Sequence, residues 1–430
     1  MRVLASLVAL TLATAALVSG CSQQSGAKKT AANVTRIEAG PDAQKKAQTA
    51  LINAKPGAVI EFAEGKFDFN STLSLEDVSD VTIRGQGIDK TVLSFASQQQ
   101  GTGGEGLRVK CPKNITIEDL AVEDAKGDAI KVQDTQKIIF RRVRTEWTGG
   151  PKATNGAYGI YPVLCTDVLI EDSVAIGASD AGIYVGQSEN IIVRRNRAEK
   201  NVAGIEIENS VNADVYENVA TDNAGGILVF SLPDLPKKDG RNCRVFNNTV
   251  IANNHENFAP KGNIVATVPP GTGMMLMAND QVEFFDNKVE NNNSTGLLIV
   301  SYLINQKPIK DDKYDPYCEG IYVHDNKFVA NGESPGGDLA GILGKILGTP
   351  FPDIMYDGIR DEKKVVDGHL PEQMRLRIRN NGDADFVNFD GGSINAAAVF
   401  ANKKPNIVRE LTAYEGELSA LSPVAIAGVK

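Results

Sequence analysis

Five residues with reactive or charged side chains recur at one place in a repeated frame: Arg108, Lys131, Tyr161, Tyr184 and Glu206. Each is the third residue of a short segment that opens on a small residue: GLRV, AIKV, GIYP, GIYV and GIEI. Neighbours are 22 or 23 residues apart, with one gap of 30 between Lys131 and Tyr161. Two cations beside two phenols suit abstraction of a proton next to a carboxylate: a cation neutralises the carboxylate and a base takes the proton. Arg108 or Lys131 would be the first, and Tyr161 or Tyr184 the second. Glu206, with Asp180 and Glu208 flanking it, would contact the substrate. The same residues could also stack as a solvated ladder, for packing alone.

These residues need an element that repeats at their spacing. The stretch YGIYPVLC, residues 158–165, is one rung of such a series and not an isolated motif. The series continues as GILV, GMML and GLLI, which put Leu228, Met275 and Leu298 in line with the five. A second frame interleaves with it, including ITIEDL from Ile115, IIFRRV from Ile138, VLIEDS from Val168 and IIVRRN from Ile191. ADVYEN, CRVFNN, VEFFDN and IYVHDN follow, LRIRNN from Leu376 is its last copy, and VTIRGQ from Val81 an early one. Alternation with period two means strands. Two or three short strands in about 22 residues, with no helix between them, fit a right-handed parallel β-helix whose coils stack ~4.8 Å apart. The fold class is therefore all-β, with about ten coils in a rod on the order of 45–50 Å long.

The turns agree. Asn196, Asn218, Asn248, Asn287 and Asn326 hold one frame position, and Asn201, Asn223, Asn253, Asn292 and Asn331 another, five residues later. Asparagine tolerates tight turns, and its amide can bond its neighbour in the next coil. Asp42 can cap a helix running to about Ala54, stopped by Pro56-Gly57, and such a helix would cover the open end of the stack. Residues 37–392 read as the β-helix domain. Within it, 303–375 break the periodicity as an inserted loop region, and 393–430 are a C-terminal cap or tail.

The 430 residues carry a net charge of −9, which argues against nucleic acid as a partner. Residues 1–20 hold Arg2, an apolar run and small residues directly before Cys21, the pattern of a secretory signal. The sequence LVSGC resembles a bacterial lipobox. The resemblance implies cleavage before Cys21 and lipidation of its thiol, with residues 21–36 as a flexible tether. Ser22, where an inner-membrane retention signal has aspartate, favours the outer membrane, facing the periplasm. Four cysteines remain, with no CxxC or CxxCH among them, so neither a zinc knuckle nor attached haem is indicated and no cofactor is expected.

The entry PGAVIEFAEGKF and the GI-x-V and Asn-rich rungs over 106–331 resemble the pectin-lyase-like superfamily of right-handed parallel β-helices. The tail from Pro352, PDIMYDGIRDEKKVVDGHLPEQMRLRIRNN, resembles a narrower family of exported β-helix lipoproteins of unsettled function, encoded beside a c-type cytochrome-like protein. A rung of the mannuronan C5-epimerases reads Y-G-x-D-P-H-D. Here Tyr158, Gly159 and Pro162 match it, while Tyr161, Val163 and Leu164 replace its aspartates and histidine. The resemblance places sugar on the face that carries Arg108 to Glu206. It leaves the epimerase mechanism without its reactive groups.

Other candidates read as structure. Glu118, Arg141, Glu171 and Arg194 alternate in sign on successive coils, as cross-strand ion pairs do. Tyr216, Phe246, Phe285 and His324 continue that line as an aromatic stack. Asp311, Asp312, Asp315 and Glu319 lack the order of a calcium loop and read as a solvated loop, so no metal is expected. Two functions remain open: a cell-envelope β-helix that binds or modifies a polysaccharide, a uronate if enzymatic, or a non-catalytic scaffold for an exported partner such as the cytochrome-like protein.

Overall fold

The computed structural model describes residues 33–99, 104–391 and 407–429. Cys21 and the signal segment lie outside the described residues. The described chain is a parallel β-helix. One face is a file of eleven parallel strands, from Leu73–Glu76 to Phe386–Asn388. The other two faces form one 20-stranded sheet bent at a corner.

Burial alternates along each rung as the two-residue period requires. Val168, Ile191, Ala213, Cys243 and Val282 are in register on successive coils and point into one core. The corner is built from backbone as well as side chain. Asp119, Arg142, Asp172, Arg195, Glu217, Asn247, Asp286, Asp325 and Asn380 all adopt φ between 52° and 57°. That region is natural for Asn and Asp and uncommon for Arg and Glu, so stacking between coils enforces it. In the third and fourth coils the strand runs through the corner, as Lys113–Glu123 and Gln136–Glu146. The inward residue after the bend is then Leu120 or Val143, both buried.

From Ser173 onward that position turns polar. The Ser173 amide donates to Asn196 Oδ1 at 3.0 Å, and Asn196 donates from both its amide and its side chain to Asn218 Oδ1, each at 3.0 Å. The pattern passes through Asn248, Asn287 and Asn326 to Asn381. A parallel ladder runs from Asn201 to Asn331 and ends on Asp353 Oδ1 at 2.9 Å. A third turn carries a short serine ladder, Ser188 to Ser210 at 3.0 Å, which no sequence repeat announced.

Both ends are closed. The helix is Ala43–Ile52, with Asp42 as its N-cap residue but no side-chain capping bond. Gln48 donates to the Ser74 carbonyl at 3.0 Å and accepts from the Ser74 amide at 2.9 Å. One side-chain amide thus stands in for the missing neighbouring strand. At the other end Val408 exchanges two backbone bonds with Asn388, and the Ile378 amide donates to the Tyr414 carbonyl. The chain then turns back along the outside of the bent sheet. The Leu421 amide bonds Glu283 at 3.1 Å, Val424 bonds Asp214 at 3.0 Å, Ile426 packs on Leu169 and Ile192, and the Ala427 carbonyl accepts from Lys137 at 3.0 Å.

Residues 303–375 are not one inserted loop. They contain the strands Ile321–His324, Lys327–Val329 and Ile354–Tyr356, each in register with the coil before it, and the helix Gly337–Leu347. Insertions at the corners lengthen these coils and hid the period on either side of Ile321–His324. Among the described residues no helix is long and apolar enough to cross a membrane.

The register yields a stability prediction. Ile191→Asp places an unpaired charge among Val168, Ala213 and the neighbouring core. It should cost several kcal/mol, on the order of 3–5. Urea denaturation of the variant should show a large fall in midpoint, and wild-type stability would refute the inward assignment.

Candidate functional site

The eleven-strand face carries the five singled-out residues in one line. Arg108 pairs with Lys131, Lys131 with Tyr161, and Tyr184 with Glu206 across adjacent strands. Leu228, Met275 and Leu298 complete the row. The line is nevertheless two different surfaces. Its C-terminal half is roofed by segments that leave the corners. Phe258, Ile264, Val265 and Val268 of the 252–271 segment, Tyr302, Tyr314 and Leu343 pack over Leu228, Met275 and Leu298 in a second apolar core. Only the half from Arg108 to Tyr161 is open.

This division corrects the expectation of a continuous five-coil binding stripe. Tyr184 is 4% exposed and Glu206 3%, so neither is a surface anchor. Arg108 is exposed and ion-paired with Glu76 at 2.5 Å. Lys131 lies over the Tyr161 ring, 5.0 Å from its centroid.

At the border of the two halves, Tyr158, Tyr161 and Tyr184 form one aromatic cluster, with centroid separations of 4.3 to 5.0 Å. The Tyr184 ring lies back across Gly186. A Cβ there would meet the ring carbon at 2.5 Å, so glycine is required for the hydroxyl to reach Glu208 Oε1, to which it donates at 2.5 Å. Asp180 accepts from Asn263 of the roof at 3.5 Å. Asp128, on the open side, accepts from the Tyr158 amide at 3.3 Å.

Burial sets the acidity of the cluster. Desolvation pushes Asp180 up to about 7, aided by the charge of Glu208. Glu208 rises to about 7 and Asp128 to about 6, both through burial. Glu206 is raised by burial and by Asp180 and Glu208 beside it. The phenols are raised as well, again chiefly by burial. A phenol held protonated in this way is a poor resting base. The expected assignment of base to Tyr161 or Tyr184 therefore gives way to the carboxylates, which can exchange protons near neutrality. Sequence reading missed Asp128, Asn263 and the role of Tyr158. Asp128 was findable because it directly precedes the AIKV frame. Asn263 was not, since it comes from an aperiodic loop.

The second outward line is structural, as expected, but its centre is stronger than a simple ladder. Glu171 binds Arg141 at 2.6 Å, Arg194 at 2.6 Å and Arg195 at 2.8 Å. Burial opposes its ionisation, and the bonds from Arg141 and Arg194 outweigh that and hold the carboxyl low. Tyr216, Phe246, Phe285 and His324 stack at 4.7 to 5.2 Å.

The acidic loop is not simply solvated. Asp315 and Glu319 bind Lys364 at 2.9 and 2.8 Å, and Asp311 pairs with Lys238. Asp280, Asp315 and Glu319 bring oxygens within 4.8 Å of one another, a set that could hold a cation, and the Lys364 ammonium bonds two of the three. Cys111, Cys165, Cys243 and Cys318 are all buried and free.

With this architecture in view, the profile of the right handed beta helix region matches residues 66–232 and 152–303, together more than half of the chain. The chain belongs to the right-handed β-helix family. Within this family of folds it is similar to the A-module of the mannuronan C-5 epimerase AlgE4 of Azotobacter vinelandii. That match has 14% identity and a TM-score of 0.52, and covers 80% of this chain and 92% of the module. An alginate lyase from Paenibacillus is 17% identical, with a TM-score of 0.46 over 68% of this chain and 95% of its own. At these identities the likeness is one of fold, that of a parallel β-helix. No curated protein sequence matches the chain.

The carboxylate cluster predicts an unusual pH dependence. Asp180 and Glu208 titrate near 7 when folded and near 4 when unfolded, so the folded state binds more protons between those values. Stability from these groups is present below pH ~4 and is lost as pH rises to ~7. Glu208→Gln should remove part of that loss and raise stability above pH ~7 by on the order of 1–3 kcal/mol. Thermal melts from pH 4 to 8 would test it, and an unchanged slope in the variant would show that the carboxyl is not desolvated.

Proposed function

We propose that this chain is an exported, lipid-anchored β-helix of the cell envelope that binds a polysaccharide on the open half of the eleven-strand face. The observation that carries the reading is the tyrosine cluster at the border between open and roofed surface. Tyr161 offers a sugar-stacking ring with Lys131 beside it, and protonatable carboxylates stand directly behind. Successive coils repeat along one line, as sugar units do along a chain, and an aromatic face suits the apolar face of a pyranose. The folds of the epimerase and lyase neighbours support a polysaccharide ligand only by analogy. Chemistry on a bound uronate would draw on Lys131 as the cation and Asp128 or Asp180 as the proton acceptor.

Anchoring rests on Cys21. It follows LVSG, and it precedes the first described strand, Asn33–Ile37, by a short polar stretch. That arrangement supports tethering of the N-terminal end to a membrane, with the outer membrane favoured by Ser22.

Two measurements test the two parts. Tyr161→Ala should weaken glycan binding by about 1–3 kcal/mol in titration calorimetry. Phe246→Ala, on the other stack, should lower stability and leave affinity unchanged. If neither substitution changes the affinity of a binding glycan, the sugar face lies elsewhere. If no glycan binds the wild type, the scaffold reading replaces this one. Separately, Cys21→Ser should release the protein from the membrane fraction and abolish the lipid-dependent mass increment. Unaltered fractionation would refute the anchor.

A further inference from the structure

The chain follows a rule for its buried acids, and three of them break it. Among the described residues, Glu61 is held by Arg36 and Arg84, Glu123 by Lys66 and Arg144, and Glu171 by three arginines. Asp214 has Arg244, Glu283 has His324 and Glu319 has Lys364. Asp357 has no cation but accepts from the backbone amides of Ser301 and Ile359. The remaining buried acids are Asp180, Glu206 and Glu208. Their partners are all neutral: the Asn263 amide group and the Tyr158 hydroxyl for Asp180, and the Tyr184 hydroxyl for Glu208. Glu206 is 3% exposed, and its Oε2 is screened from solvent without a hydrogen-bond partner. An unpaired buried carboxylate is costly, and the rest of the molecule avoids it.

Raised by burial, these carboxyls hold protons near neutrality while the site is empty, and a cationic ligand would take the place of those protons. A single metal ion is a poor match, because among the described residues the set of three acids that converges to within 4.8 Å is Asp280, Asp315 and Glu319, and not this one. A uronate is a worse match, since its carboxylate would approach Asp128, Asp180, Glu206 and Glu208 with Lys131 as the near cation. An ammonium carried on a larger ligand meets both conditions. Its protons point in several directions and can serve separated carboxylates, while the carbon frame and the cation lie against tyrosine rings.

We propose that the site at Tyr158, Tyr161 and Tyr184 recognises a polysaccharide bearing free amines, an amino sugar without its acyl group, with the charge of the ammonium balanced by Asp180, Glu206 and Glu208. The inference rests on the polysaccharide reading and narrows it. The sugar enters from the Tyr161 side. Its ammonium takes the place of Asn263 on Asp180, a single bond of 3.5 Å, and lies beneath the 252–271 segment. Glu208 keeps its bond to Tyr184, which fixes the carboxylate that the amine meets.

The test uses the full-length mature protein and three oligosaccharides of equal length: glucosamine, N-acetylglucosamine and mannuronate. In neutral buffer the glucosamine oligomer should bind at least about tenfold more tightly than its acetylated form, with mannuronate weakest. Glu206→Gln and Glu208→Gln should abolish the preference for amine over acetamide, read as the ratio of the two affinities. Circular dichroism and melting of both variants would show that the fold is retained. Equal or tighter binding of the acetylated or uronate oligomer overturns the amine assignment and leaves the polysaccharide reading intact. Failure of all three to bind overturns both. A preference for amine that survives both Gln variants also overturns the assignment, because it would place the ammonium elsewhere.

Discussion

Every feature of this molecule depends on one constraint: each coil must satisfy the backbone of the next. A parallel strand cannot close on itself locally, so its amides and carbonyls are paired only when another rung arrives in register. The corners are the weak points, because there the backbone leaves the strand and its amides face inward. The asparagine ladders answer this. One Oδ1 accepts both the amide and the side chain of the residue one coil before, while the Nδ2 also reaches a strand carbonyl, as Asn218 does with Val193 at 2.9 Å. A buried polar group becomes tolerable because each rung completes the one beside it.

That regularity is what allows a site to be placed. The rungs deliver side chains to the outer face at a fixed pitch, and the corners are free to grow. Insertions at 252–271, and again on either side of Ile321–Val329, fold back over the eleven-strand face and convert half of it into a second core. The remaining half stays open. The cluster of tyrosines and carboxyls lies at the seam, where buried carboxyls gain their raised pKa values under the roof and Tyr158 and Tyr161 remain partly accessible. Neither the bare β-helix nor a fully covered one would produce that combination.

The fold was legible because its physics is periodic. Inward Ile191 and Val168, the ladder from Asn196 to Asn326 and the outward line from Arg108 to Glu206 all follow from spacing alone. What spacing could not show was which part of the line is covered. Leu228, Met275 and Leu298 gave a hint, since apolar residues on an outward row need a roof. The roof's own residues, Asn263 and Val265 among them, come from stretches with no period. Glu171 illustrates the same limit from another side. Its alternation with Arg141 and Arg194 was visible, but the third partner, Arg195, is brought in by a left-handed corner residue with φ of 54°. The serine ladder escaped because it has only two members.

The returning C-terminal segment has a mechanical consequence. A stack of coils is quasi-one-dimensional, and its terminal rung ordinarily frays first, each loss exposing the next. Here the last residues are fastened to Glu283, Asp214, Leu169 and Lys137, rungs far inside the stack. Pulling on the C-terminus therefore loads those bonds in shear before the final rung can unzip. The segment acts as a strap that ties the distal coils to rungs in the body of the stack.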